Sequence, residues 1–258
     1  CAISYSGYYP FIDAFIANTN AKKKLIWVHT DLRYLYNTDK LYKIRFNYTK
    51  NKYDKYDNVI CVSESIKSEF IKLMPSLKDK TLVQWNVIDI NKNNKKYPKL
   101  DGEKIIVSVG RVCDQKRFDK LVFLHKKLIK NNIKVKTYLV GDGKLDDIKE
   151  LIKKYKVEDT FILLGKQLNV EEIIKQADLF VLTSDYEGLP TVLFETLDAN
   201  VPFVGTNVTG VKDIVNYIAP KNSCLLANNN ITSLYEKIID ALNGKINKNF
   251  KFNIEDYN

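Results

Sequence analysis

A chain of 258 residues, 45% of them hydrophobic, has the length and apolar content for one large globular domain or two ordinary ones. Four cysteines spread over that length exclude a disulfide-stapled scaffold, and no apolar run reaches the roughly 18 residues of a membrane span. The formal net charge of +10 is a lysine charge, with Arg33, Arg45, Arg111 and Arg117 the only arginines, and it is uneven: residues 1–100 carry 18 basic and 9 acidic side chains, the remainder 23 and 22.

In chain order, short runs rich in Val, Ile, Leu and Phe predict strands over residues 25–29, 58–62, 81–85, 105–110, 135–141, 160–164, 179–183, 202–206 and 223–226. Such near-continuous apolar strands suit parallel sheets covered on both faces. Between them the apolar period lengthens to that of a helix. Ser63 is placed to cap a helix that begins near Glu64, and Phe118–Lys130 repeats Leu121, Val122, Leu124, Leu128 and Ile129. Further helices are expected over 146–155, 170–176 and 233–243, the second with Asn169 as N-cap and Glu172 three residues on. Strand–helix alternation predicts an α/β fold with right-handed crossovers. The polar stretch NKNNKKYPKLDGE, residues 91–103, reads as a linker. It separates a first lobe over 1–90 from a second over 104–243, followed by a C-terminal segment over 244–258. The second lobe has the strand count of a complete doubly wound unit. The first, with three or four strands, reads as the back part of a similar one.

Ligands of open α/β sheets bind beyond the carboxyl ends of the strands. After the strand at 105–110 come Gly110, Arg111 and Lys116, a close turn followed by a guanidinium and an ammonium five residues apart. A fork-shaped cation, a flexible one and a helix N-terminus suit a diphosphate. After the strand at 179–183 comes SDYEGLPTVLFE. Glu187 sits in the loop, Gly188-Leu189-Pro190 leads into a helix with Pro190 in its first turn, and Glu195 follows about one and a half turns in. Carboxylates accept bonds from sugar hydroxyls, and free backbone amides suit phosphate oxygens. The turn at Gly141 and Gly143, in GDGK, is tight but matches no P-loop or G-x-G-x-x-G. His29 ends a first-lobe strand and is placed to orient or polarise a substrate. His125, in the middle of an amphipathic helix, is expected to be structural. The cysteines form no C-x-x-C pair, and no Asp-x-Asp pair is present, so no metal site is expected.

Taken together in order, these motifs resemble glycosyltransferase family 4, the retaining sugar transferases of GT-B fold. ADLFVLTSDYEGLPTVLFE carries the family's E-x7-E, with Glu187 and Glu195 at the required spacing. VPFVGTNVTGVKDIV, SVGRVCDQKRFD and LVGDGKL match further segments, and VHTD, CVSES and WNVID weaker ones in the first lobe. The resemblance implies two Rossmann-like domains facing a cleft, the N-terminal one incomplete. It implies that Arg111 and Lys116 neutralise a donor diphosphate, with Gly110, Gly141 and Gly143 beside it. Glu187 would bind the transferred sugar, Glu195 the ribose, and Gly188, Leu189, Pro190, Thr191 and Val192 would offer backbone amides. His29 would lie near the reacting sugar. Three positions depart from the family pattern: Asp198, expected to be tolerated at the surface, Asn200, which can take the left-handed cap conformation usually supplied by Gly, and Thr209, which replaces a common Gly.

The expected function is therefore retaining, metal-independent transfer from a nucleotide-diphosphate sugar, with UDP-sugar as the expected donor and no cofactor. The expected acceptor is lipid-linked or a saccharide, in bacterial surface polysaccharide or glycolipid synthesis. A nucleotide-sugar epimerase of the same fold is the first alternative, disfavoured by the EGLP-containing stretch, and a truncated sugar-nucleotide-binding protein without catalysis is the second. The resemblance implies that the basic first lobe faces the acceptor and the membrane, so its charge is expected to meet an anionic lipid surface or a lipid-diphosphate acceptor rather than nucleic acid, for which no fold signature is present. The lysine- and asparagine-rich residue usage of an AT-rich genome is the alternative source of the charge. The expected location is the cytoplasm, including the inner face of the plasma membrane.

Overall fold

A computed structural model describes residues 1–88 and 97–257. The chain forms two compact units. The first comprises Cys1–Val87 with the short segments Tyr186–Pro190 and Thr209–Asp213, and the second comprises Ile88–Asp185, Thr191–Val208 and Ile214–Asn258. The expected linker over 91–103 falls outside the described residues up to 96. Its remainder is fastened within the second unit, where the Gln176 amide accepts from Leu100 N at 3.0 Å and donates to the Pro98 carbonyl at 3.1 Å.

The first unit contains β1 (Ala2–Ser4), α1 (Pro10–Ala17), β2 (Lys24–Val28), α2 (Leu32–Thr38), α3 (Lys40–Thr49), β3 (Asn58–Cys61), α4 (Glu64–Leu73) and β4 (Thr81–Val83). Its strands form a parallel sheet in the order β1-β2-β3-β4. Each strand is followed on the chain by helix before the next, which is what parallel neighbours require. Ser63 caps α4 as expected, accepting from Ile66 N at 3.4 Å. Three helices, α1 to α3, lie where the sequence pattern marks none. The outward faces of α1 and α3 carry large apolar side chains as well: Phe11, Ile12 and Phe15 of α1 and Leu41, Ile44 and Tyr48 of α3 are all exposed. That blurs the amphipathic period by which a helix is recognised.

The core of this unit holds an unusual group. Asp13 is fully buried, accepting from Ser4 Oγ at 2.5 Å and Tyr53 Oη at 2.9 Å, while Tyr56 Oη donates to its carbonyl at 2.7 Å. Burial pushes its carboxyl up to about 6, against the two side-chain bonds that favour the ion.

The second unit contains β5 (Ile105–Val109), α5 (Phe118–Lys130), β6 (Lys136–Val140), α6 (Leu145–Tyr155), β7 (Phe161–Gly165), α7 (Val170–Ile174), β8 (Leu179–Leu182), α8 (Val192–Asp198), β9 (Phe203–Thr206), β10 (Cys224–Ala227) and α10 (Ile231–Leu242); α9 (Val211–Tyr217) begins in the segment that belongs to the first unit. Its sheet is parallel in the order β10-β9-β8-β5-β6-β7, so the chain reverses its direction of travel between β5 and β8. Leu121, Val122, Leu124 and Leu128 of α5 are buried as the pattern predicts, with Ile129 packed at the edge. His125 is structural: Nδ1 and Nε2 each lie 2.8 Å from a hydroxyl, of Thr137 and Thr160, and burial lowers its pKa to about 4.

Two expectations need correction. Asn169 stands at the start of α7 but makes no side-chain cap; its carbonyl accepts from Ile173 N instead. Asp198 is not a free surface residue. Its Oδ1 accepts from Ile254 N at 3.1 Å and ties down the C-terminal segment, whose Ile246, Phe250 and Ile254 are buried within this unit. Asn200 does take the left-handed conformation, at φ 56°.

Asp13 makes a stability prediction. Its folded pKa lies above the ordinary 3.8, so the folded state favours the protonated form. That stabilisation is full below about pH 3.8 and is lost as the pH rises through 6. Denaturant unfolding of wild type and Asp13→Asn at several pH values is expected to show wild type losing roughly 3 kcal/mol relative to the variant between acid and neutral pH. A constant difference would mean that Asp13 ionises normally.

Candidate donor-binding site

The β5/β8 neighbourhood is the topological switch point of the second unit, the position at which ligands of open α/β sheets bind. The loop after β5 carries Gly110, Arg111 and Lys116, and the chain after β8 runs through Thr183 and Asp185. The two are laced together. Thr183 Oγ1 donates to the Lys116 carbonyl at 2.8 Å, and Asp185 N to the Gln115 carbonyl at 2.9 Å.

Lys116 ends a short 3-10 turn, and its stem lies over Gly110: a Cβ on Gly110 would sit 3.3 Å from Lys116 Cε. Arg111 is exposed and, among the described residues, makes no hydrogen bond or ion pair. The neighbouring cations are spent on protein partners. Arg117, in left-handed conformation at φ 50°, bonds Asp119 and Asp185 at 2.9 Å, and Lys120 bonds Asp185 at 2.7 Å and Asn229 at 2.7 Å. This network was not foreseen in the sequence, where Asp185 carries no distinguishing signal. It holds the head of α5 against the start of the loop after β8.

Gly141 and Gly143 have a duty of their own. A Cβ on Gly141 would lie 1.9 Å from the Gly110 carbonyl oxygen, a distance no side chain can occupy. Beyond it, Gly110 N donates to Val140 O at 3.0 Å, Val112 N to Asp142 O at 2.6 Å and Lys144 N to Val112 O at 2.9 Å. The GDGK turn is thus zipped along the Arg111 loop and holds it in place.

Thr191 is the N-cap of α8 and Val192 its first residue, so Pro190 precedes the helix rather than lying in its first turn. Glu195 falls correspondingly closer to the helix start, within the first turn. It is half-buried, and among the described residues its carboxylate has no hydrogen bond or ion pair. Burial raises its pKa, and the negative charge of Glu171 on α7 raises it further. Glu171 has its own cation, Lys175, at 2.7 Å; Glu195 has none.

The remaining site residues belong to the first unit. His29 directly follows β2, with its ring 4.6 Å from Tyr5 and stacked at 6.3 Å on Trp27. Nε2 is buried without a hydrogen-bond partner among the described residues, and burial lowers its pKa by disfavouring the charged ring. Glu187 is 5% exposed, followed by buried Gly188, Leu189 and Pro190. A Cβ on Gly188 would lie 1.7 Å from the His29 carbonyl oxygen. The structure therefore brings the Glu187–Gly188 backbone directly onto the His29 peptide, a second backbone-on-backbone contact that only glycine permits. Tyr186 stacks on Tyr34 at 4.6 Å beside it.

The profile of the glycosyl transferases group 1 matches residues 89–256. The chain belongs to that family. Among curated relatives it is 31% identical over 173 residues to N-acetyl-alpha-D-glucosaminyl L-malate synthase of Bacillus anthracis, covering 64% of this chain and 45% of that one. It is 27% identical over 146 residues to poly(ribitol-phosphate) alpha-N-acetylglucosaminyltransferase of Staphylococcus aureus, covering 56% and 29%. The chain spans about half, or less, of the length of these relatives. Among solved structures, Anabaena HepE in complex with UDP and glucose superposes with TM-score 0.76 at 18% identity, covering 94% of this chain and 68% of that one. A mutant of S. aureus TarM in complex with Fondaparinux, alpha-GlcNAc-glycerol and UDP gives 0.74 at 24%, covering 92% and 47%. The fold of this group 1 glycosyl transferase is GT-B.

Glu195 makes the second prediction. Because its folded pKa is raised, its ionisation opposes folding above the ordinary carboxylate range, and the effect vanishes in acid. Glu195→Gln is expected to raise Tm at neutral pH, each kcal/mol being worth about 2–4 °C in a chain of this size, and to leave it unchanged near pH 4. Calorimetry at both pH values tests it, and a neutral-pH Tm below wild type would contradict the assignment.

Proposed function

We propose that this chain is the nucleotide-sugar-binding part of a glycosyltransferase whose donor is a UDP-sugar. The observation that carries the reading is Arg111: an exposed guanidinium with no partner among the described residues, on the loop at the topological switch point, held there by the GDGK turn. A diphosphate is the ligand whose shape and charge match it. Glu195, half-buried with no cation, is the complementary group for ribose hydroxyls, which can donate to it without neutralising it. Lys116 assists Arg111 at the diphosphate, and Gly188 to Val192 supply amides. Glu187 holds hydroxyls of the transferred sugar, and His29, whose buried Nε2 has no partner among the described residues, accepts or donates one bond there.

In this reading the bond from the sugar's anomeric carbon to the β-phosphate breaks and the acceptor oxygen bonds to that carbon on the same face. A phosphate oxygen takes the acceptor's proton. The protein's task is to stabilise charge on the departing nucleoside diphosphate, and Arg111 with Lys116 does so without a divalent cation. Arg111→Ala and Glu187→Ala are each expected to lower transfer at least 100-fold with unchanged thermal unfolding, and UDP is expected to raise the wild-type Tm equally with and without EDTA. Full activity in either variant, or UDP stabilisation lost in EDTA, would overturn these roles.

The acceptor side is proposed to meet an anionic membrane. No helix among the described residues is long and apolar enough to cross one. The exposed faces of α1 and α3 are contiguous, with Phe11 and Tyr48 rings 6.2 Å apart, and include Phe15 at 74% and Tyr48 at 79% exposure. On α3, exposed Lys40, Lys43 and Arg45 flank Leu41, Ile44 and Tyr48. Apolar side chains bordered by basic ones match an interfacial helix facing acidic headgroups. Sedimentation with phosphatidylglycerol vesicles is expected to pull down the chain, phosphatidylcholine vesicles far less. The pair Phe15→Glu, Tyr48→Glu is expected to abolish binding. Binding that ignores lipid charge would refute this contact.

A further inference from the structure

Thr209 stands where the resembled family commonly has glycine, and the donor reading leaves it no task. Its hydroxyl lies 2.8 Å from the carbonyl oxygen of Glu187 and 3.2 Å from Asp31 Oδ2. Asp31 is itself fixed. It is buried, and its Oδ1 accepts from Tyr34 N at 2.8 Å as the N-cap of α2. The segment that carries Thr209 is anchored at its far end, where Asp213 accepts from Ser65 N at 2.8 Å and Ser65 Oγ at 2.6 Å, at the head of α4. Between these anchors, a Cβ on Gly210 would meet the Gly188 carbonyl oxygen at 2.2 Å. Ser63 Oγ approaches that same carbonyl at 3.4 Å. All these residues belong to the first unit.

The arrangement acts on one peptide. The Glu187 carbonyl is the group that Thr209 grips, and the Glu187 side chain leaves the backbone from the adjoining Cα. Holding that carbonyl fixes ψ of Glu187, and with it the angle between the peptide plane and the Cα–Cβ bond. A β-branched side chain with restricted χ1 and a hydroxyl donor holds the peptide more rigidly than glycine at this position could.

We propose that Thr209 is a positioning residue for Glu187: its hydroxyl, which donates to the Glu187 carbonyl at 2.8 Å and shares its proton more weakly with Asp31 Oδ2 at 3.2 Å, sets the direction in which the Glu187 carboxylate leaves its loop. The inference rests on the reading of Glu187 as the group that holds the transferred sugar. Glu187 would touch the sugar; Thr209 acts through it. The loss of Thr209 therefore affects recognition of the sugar and leaves recognition of the nucleotide alone. A merely structural residue would weaken both.

The test uses Thr209→Val, which keeps the shape and removes the hydroxyl, Thr209→Ser, which restores it, and Glu187→Ala as the control. UDP and a panel of UDP-glucose, UDP-galactose and UDP-N-acetylglucosamine are titrated calorimetrically into the full chain, and amide exchange is followed over residues 187–191. T209V is expected to weaken the tightest UDP-sugar about tenfold, as for the loss of one such bond, with UDP itself changed less than twofold. Exchange in the loop is expected to quicken, and T209S to recover wild-type behaviour in both measurements. Should T209V fail to fold, Thr209→Ala, which adds no bulk, is expected to show the same selectivity. Equal weakening of UDP and UDP-sugar, or a T209V protein like wild type beside a Glu187→Ala protein that has lost the sugar preference, overturns the role of Thr209 and leaves that of Glu187. A Glu187→Ala protein with undiminished preference for UDP-sugar over UDP, or a wild type with no such preference, overturns the Glu187 reading and the positioning role with it.

Discussion

A carbonyl oxygen occupies the place where a side chain would begin at Gly141 and again at Gly188. At both positions backbone packs on backbone, and the chemistry-bearing residues hang from the paired segments. At Gly141 the contact brings the GDGK turn against the Arg111 loop and lets three backbone hydrogen bonds zip the two together. At Gly188 it brings the peptide after Glu187 against the peptide of His29. A methyl group at either position would force the segments apart by more than an ångström. The glycines of these motifs thus build the site from beneath, whatever a ligand then finds on its surface.

Above that base, the charges divide into two kinds. Asp185 is satisfied twice over, by Arg117 and Lys120, and its pKa is held below the usual carboxylate range despite burial. Arg111 and Glu195 are the opposite case: a cation and a carboxylate that no described residue of the protein neutralises. The first kind fixes loops and the second is available to a ligand. Leaving Glu195 half-buried beside Glu171 costs stability at neutral pH, and a folded protein tolerates such a cost where a ligand offsets it.

The strands were legible because each is a short apolar run closed by a turn, and nine of the ten among the described residues were foreseen to within a few residues. The exception, β1, is three residues long and has no apolar run to reveal it. Helices were legible only where one face is polar, as in α5 and α10. PFIDAFIA and KLYKIRFNYT have apolar residues all round, and which of these face inward is settled by Asp13, Tyr53 and Tyr56 meeting across the fold. The spacing of Glu187 and Glu195 was visible in the sequence. The different surroundings of the two carboxylates were not, because Glu171 lies 24 positions before Glu195 and meets it only when α7 is laid beside α8.

Strand length, periodicity and loop spacing are local properties that survive without a partner, and they were enough for the α/β class; the family was legible through the resemblance its motifs carry, in order along the chain. That resemblance was also enough to nominate the residues that could meet a nucleotide sugar. Tertiary structure alone decided that Arg111 keeps no protein partner among the described residues, that Glu195 is half-buried without a cation there, and what Thr209 contacts. Those answers depend on groups as far apart in sequence as Asp31 and Thr209 coming within 3.2 Å. Burial and hydrogen bonding act over a few ångströms of space, and distance along the chain does not encode them.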